Sequence, residues 1–168
     1  LTQGYYADYT RLTAEQERML RAYDDFLVRY EELLFDDSLA DVSMTHCGWD
    51  NEEYMCDVPY SVTGEDGKLW LILREHANRK LIALINLAGD ASSAWNEGRN
   101  APESIEDITL RVQAFSPVVR AWTASPDQNF GAAEPVTIVR EQGARGDVLT
   151  IHMPLLKRFA ILYLETEK

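Results

Sequence analysis

Hydrophobic residues fill positions 68–87 (KLWLILREHANRKLIALINL) on both sides of a short polar loop at 75–79. Each run has the length of a strand, and the loop is short enough to join antiparallel neighbours, so the stretch reads as a hairpin. Leu69, Leu71 and Leu73 alternate with Trp70 and Ile72. Leu81, Ala83, Ile85 and Leu87 alternate with Ile82 and Leu84, so neither run has a polar face. A strand apolar on both faces belongs in mid-sheet with something packed on each side. Upstream the period is helical. Met19, Leu20, Tyr23, Phe26, Leu27, Tyr30, Leu33 and Leu34 recur at three- and four-residue steps and draw one stripe on a helix running from Thr13 to about Phe35. Thr13 can cap its start, and Gln16 completes a capping box. The stripe is wide and aromatic, so it needs a surface to cover it.

Beyond residue 40 the period shortens to two. Val42, Met44 and His46 predict a short strand, 47–57 a loop, and 58–63 a further strand ending in the turn 64–67. Residues 88–106 form the longest irregular connection. Ile108, Leu110, Val112 and Ala114 alternate with Thr109, Arg111 and Gln113, the pattern of a half-buried strand. The chain turns at Ser116-Pro117, returns through 118–123, and breaks at Ser125-Pro126-Asp127. Residues 136–140 and 148–153 flank a glycine turn at 142–146. Pro154 is expected to end that strand, and 159–164 supplies the last. The expected fold is mainly β: a sandwich of eight or nine short strands preceded by one long N-terminal α-helix. The division falls between a segment-plus-helix at 1–40 and a β-domain at 41–168.

Composition narrows the function classes. At 168 residues there is room for one domain, or one with an appendage. The apolar fraction of 46% and charged fraction of 26% are ordinary for a folded protein. A net charge of −12 argues against nucleic acid or an anionic membrane as partner. No apolar run reaches the ~18 residues of a membrane span. The chain begins at Leu1 rather than Met, and is expected to be a piece cut from a longer polypeptide.

Candidate chemistry is sparse. His46, His76 and His152 form no HxxxH or HExxH pair, and no metal site or cofactor is expected. Cys47 and Cys56 are either a disulfide across their loop, if the parent is secreted, or two free thiols. The acidic pairs Asp24-Asp25, Asp36-Asp37 and Glu52-Glu53 have the composition of a glycosidase pair, but in so acidic a chain they read as solvated faces and helix ends. No GxSxG, P-loop or GxGxxG occurs. Trp70 and Trp122 fall in strands and read as core. Trp49 and Trp95 fall in loops, where an indole either packs or stacks on a sugar ring.

Three segments carry a resemblance. AYDDFLVRYEELLFDD (22–37) resembles the segment closing the catalytic barrel of glycoside hydrolase family 66, the dextranases and cycloisomaltooligosaccharide glucanotransferases, where a Tyr-rich helix ends in a YENLL-like run. GKLWLILREHANRKLIALINL (67–87) is similar to that family's strand pair ending in LINL, with Trp95 following. VVRAWTASPD (118–127) is similar to its later strand and SPD turn. Their order and spacing agree across most of the chain. The closing segment MPLLKRFAILYLE departs from the family's PxLxYW pattern, having Leu156, Lys157, Arg158 and Phe159 there.

The resemblance implies a Greek-key sandwich that follows a (β/α)8 barrel and packs on it. Residues 1–40 would then be the end of that barrel. The family's nucleophile and acid/base lie in the barrel, and no position here matches their motifs, so no catalytic residue is expected. The implied function is a non-catalytic accessory domain of a secreted, extracellular dextran-acting enzyme. Its partners would be the parent's barrel and an α-glucan such as dextran or an isomaltooligosaccharide. An independent carbohydrate-binding module with Trp49 and Trp95 as its platforms and a protein-interaction domain docking through the helix stripe are the alternatives.

Overall fold

A computed structural model describes residues 12–47, 51–89 and 102–168. Its first element, helix α1 (Ala14–Arg29), opens on the expected capping box. The Gln16 N–H donates to Thr13 Oγ1 at 3.2 Å, and the Thr13 N–H donates to Gln16 Oε1 at 2.9 Å. Two amides that no helical carbonyl can reach are thereby satisfied. The helix does not continue to Phe35. It breaks at Tyr30 (φ −112°, ψ 19°), and one more turn, α2 (Glu31–Leu34), follows. Beyond α2 the chain is held by Arg74, which donates to the carbonyls of Leu34, Asp36 and Leu39 at 2.6, 2.7 and 3.1 Å and so partners acceptors that the helix end leaves open.

Among the described residues eleven strands follow, with one α-helical turn and one 3-10 turn between them: β1 (Ala40–Asp41), α3 (Ser43–His46), β2 (Tyr54–Cys56), β3 (Tyr60–Ser61), β4 (Leu69–His76), β5 (Arg79–Asn86), β6 (Ile105–Ala114), β7 (Val118–Ala124), the 3-10 turn Asn129–Gly131, β8 (Glu134–Pro135), β9 (Ile138–Gly143), β10 (Gly146–Leu156) and β11 (Phe159–Thr166). One sheet has the order β1-β4-β5-β11-β7-β8, with β3 joined to β4; the other runs β2-β6-β10-β9. Every pairing between named strands is antiparallel except the two-residue β3·β4 contact. β11, the last strand, returns between β5 and β7, the long return of a Greek key. The strands that the alternation missed, β1, β2 and β8, are two, three and two residues long, too short for a period to register.

Two expectations are corrected. The strand expected through Val42, Met44 and His46 is instead the turn α3. The Asp41 carboxylate accepts the Ser43 N–H at 2.9 Å and its hydroxyl at 2.6 Å, a side-chain turn that starts a helix where alternation argued for a strand. Met44 is 74% exposed, so its apolar character was no sign of burial. Nor does Pro154 end a strand, since β10 runs on to Leu156. The register passes from Met153↔Ile108 to Leu155↔Glu106, so Pro154 falls opposite Asp107, whose φ is +57°. A residue with no N–H is tolerated where the ladder is already irregular.

The β4–β5 hairpin does lie mid-sheet with both faces covered. Leu69, Leu71, Leu73, Ile82 and Leu84 face the second sheet and meet Ile108, Leu110, Leu149 and Ile151 there. Side chains buried this completely contribute roughly 1.5–3 kcal/mol each. On the opposite face Leu81 joins Ile161, Ala124, Leu39 and Phe26, a second core sealed by α1. The helix stripe and the apolar outer face of the hairpin therefore answer each other.

Candidate functional site

A dense polar junction grows from Ser125-Pro126-Asp127. Ser125 Oγ donates to the Phe159 carbonyl at 2.7 Å and accepts the Asp127 N–H at 3.2 Å, which turns the chain away from β7. The Asp127 carboxylate is thus aimed inward, and its side chain is 5% exposed. Its Oδ2 accepts from Tyr23 Oη at 3.1 Å, the Arg158 N–H at 3.0 Å and the Phe159 N–H at 3.3 Å; its Oδ1 accepts from Arg158 Nη1 at 3.1 Å. One carboxylate thereby joins α1, the loop after β7 and the β10–β11 turn. Burial, and then the negative charge of Asp127, push the Tyr23 phenol well above its usual range.

Next to this junction the backbone is strained. Asn129, Phe130 and Gly131 have φ of 43°, 52° and 71°. For the two non-glycine residues, left-handed backbone costs about 1–2 kcal/mol each. Helix α1 holds the loop there, with Arg29 Nη1 donating to the Phe130 carbonyl at 2.9 Å and Tyr30 Oη to the Gly131 carbonyl at 2.8 Å. Only glycine suits position 131, because a Cβ would also lie 3.0 Å from the Phe26 ring. The outcome is a Phe130 ring that is 96% exposed. Asn129 Nδ2 donates to Glu134 Oε1 at 2.9 Å, and Gln128 Nε2 to the Leu155 carbonyl at 2.9 Å, so the loop is also tied to its far side and to β10. A cleft of about 300 Å³ lies against it, lined among others by Gln128, Glu134, Thr137, His152, Pro135 and Met153.

A third polar cluster bridges the two sheets. Lys80 Nζ donates to Glu75 Oε1 at 2.6 Å and to Tyr54 Oη at 3.1 Å, while the Tyr54 hydroxyl donates to the same Glu75 oxygen. Tyr54 and Lys80 are 2% and 8% exposed. Burial, followed by the Glu75 charge, keeps the Tyr54 phenol protonated far past its ordinary range. This cluster closes on itself and pins sheet to sheet.

The residues that the sequence nominated are scattered. Trp49 and Trp95, the proposed sugar platforms, lie outside the described residues. Trp70 and Trp122 are half-buried: Trp70 Nε1 donates to the Val62 carbonyl at 3.3 Å, and Trp122 is stacked between Tyr30 and Tyr163 on the helix side of the sheet. Cys47 and Cys56 are both free thiols. Cys47 Sγ donates to the Tyr54 carbonyl at 3.4 Å, and burial pushes the Cys56 thiol up to about 11. His46 pairs with Glu53 and His152 with Asp107, each at 3.5 Å, and His76 is exposed. Asp36 is engaged with Ser38 and with Arg79, whose Nη1 lies 2.7 Å away. Spacing did not single out Asp127, Phe130 or Glu134. The only early sign was the Ser-Pro-Asp break, legible as a turn but not as an inward-facing carboxylate.

The model of glycosyl hydrolase family 66 matches residues 1–163. The chain belongs to that family. Among its relatives is a cycloisomaltooligosaccharide glucanotransferase of Niallia circulans, 22% identical over 170 residues. That match takes in 98% of this family 66 chain and 17% of the relative. A solved cycloisomaltooligosaccharide glucanotransferase of Paenibacillus sp., complexed with cycloisomaltoheptaose, shares the fold with a TM-score of 0.77 at 21% identity. It aligns with 90% of the family 66 chain and 21% of its own length. The chain thus spans about a fifth of the relatives it matches.

Proposed function

We infer that this family 66 chain is a non-catalytic C-terminal accessory domain of a secreted dextran-acting glycoside hydrolase or glucanotransferase. It packs against the catalytic barrel of a longer polypeptide, with residues 1–40 as the junction and an α-glucan as the substrate of the whole. The observation that carries this reading is the fold match, which takes in nine-tenths of the chain but only a fifth of a glucanotransferase. The chemistry agrees. Asp127 spends its lone pairs on four donors, and Glu75 is locked to Lys80 and Tyr54, so these carboxylates serve cohesion. Helix α1 carries Val28 on its outer side, and Phe35 follows α2; both are 68% exposed, as suits apolar groups awaiting a neighbour.

Deleting these 168 residues from the parent tests the reading. The barrel's thermal midpoint is expected to fall, and to recover when the chain is added back in trans. A parent that melts at the same temperature without them would show that they support nothing.

A further inference from the structure

The strained loop after β7 and the cleft beside it combine the features of a ligand site. Phe130 is an aromatic ring in water, fixed in an unfavourable backbone conformation by hydrogen bonds from α1 on one side and by Asn129–Glu134 on the other. Backbone strain retained by so many ties marks a functional position more often than a packing accident. Gln128 and Ala132 flank the tip in sequence, and both line the cleft. The cleft combines apolar surface from Pro135, Val136 and Met153 with the hydrogen-bonding groups of Gln128, Glu134, Thr137 and His152. At about 300 Å³ it sits at the small end of the roughly 300–1,000 Å³ range of ligand pockets.

We propose that Phe130 and this cleft form an α-glucan-binding site on the sandwich, separate from the barrel. One sugar ring lays its C–H face on Phe130. A neighbouring ring enters the cleft, its hydroxyls donating to Glu134 and the Gln128 carbonyl oxygen and exchanging hydrogen bonds with Thr137. This combination of an apolar plate beside mixed donors and acceptors recognises a polyhydroxylated ring better than an apolar peptide, which would leave the polar lining unpaired. The choice of glucan rests on the functional reading above; the choice of site rests on the geometry alone.

Titration calorimetry of the 168-residue chain with isomaltoheptaose tests it. Binding is expected, weakened about tenfold or more in F130A and retained in F130W, with the melting temperature of both variants unchanged because the ring touches little. Amide shifts on titration should cluster at Gln128, Ala132 and Thr137. Equal affinity in F130A, or no binding by the wild-type chain, overturns the proposal and leaves the accessory-domain reading intact. An F130A change that weakens association with the separately expressed barrel, without any glucan binding, overturns it too and makes Phe130 a protein anchor. Glucan binding lost in F130A while deletion leaves the parent's melting unchanged would retain this site and sink the other reading.

Discussion

Asp127 shows how much one side chain can organise. Replacing it with alanine takes the acceptor away from Tyr23 Oη and the N–H groups of Arg158 and Phe159 in a partly buried junction. At about 1–3 kcal/mol for each buried group left without a partner, D127A should cost roughly 3 kcal/mol or more in urea denaturation, and D127N distinctly less. Equal midpoints for D127A and wild type would show that the junction is dispensable. Asp36 offers a pH test. The Ser38 hydroxyl, the Ser38 N–H and the Arg79 guanidinium together hold its carboxyl at about 2, below the ordinary 3.8. The stability it contributes is therefore whole above about pH 4 and is lost as pH falls through about 2. Melting temperatures recorded between those values should drop less steeply in D36N. Parallel profiles would mean that Asp36 is not held as described. None of these roles could be read from residue type. Asp36, Asp37, Asp127 and Asp147 look alike in the sequence, and only the folded chain decides which one points inward.

At the scale of elements, the helix was legible because its forces are local. The Thr13–Gln16 cap and the three- and four-residue stripe lie within single turns, and α1 forms where they place it. Its break at Tyr30 was not legible, and the contacts that surround it, from Tyr30 Oη to Gly131 and from Arg74 to Leu34, join residues far apart along the chain. The α3 turn was missed because hydrogen bonds from Ser43 to the Asp41 carboxylate outcompeted a weak alternation. The docking of α1 can be tested directly. Phe26 is 2% exposed and packs on Tyr30 and edge-on against Phe159. F26A should cost about 3–5 kcal/mol by opening a cavity there. Hydrogen exchange should then quicken along α1 before it does in β4, β5 and β11. Uniform acceleration through both sheets would show that helix and sandwich unfold as one unit.

Across the whole molecule, the two-sided hairpin was the strongest signal. Its leucines and isoleucines required a cover on each face, and the second sheet and α1 supply those covers. The strand order was out of reach, because sandwich topology depends on contacts between residues distant in sequence, such as β11 with β5 and β7. The family, in contrast, was legible in three short segments read in order. What distinguishes the candidate glucan site, a left-handed loop and an exposed Phe130, is a matter of backbone geometry with no signature in hydropathy. The central claim is that the domain serves a reaction whose chemistry happens elsewhere. The most direct test incubates the isolated 168-residue chain with isomaltoheptaose beside the longer enzyme proposed to contain it, and follows reducing ends and cyclic products by chromatography. The expected result is turnover by the longer enzyme and an untouched substrate with the chain alone; cleavage or cyclisation by the chain alone would contradict it.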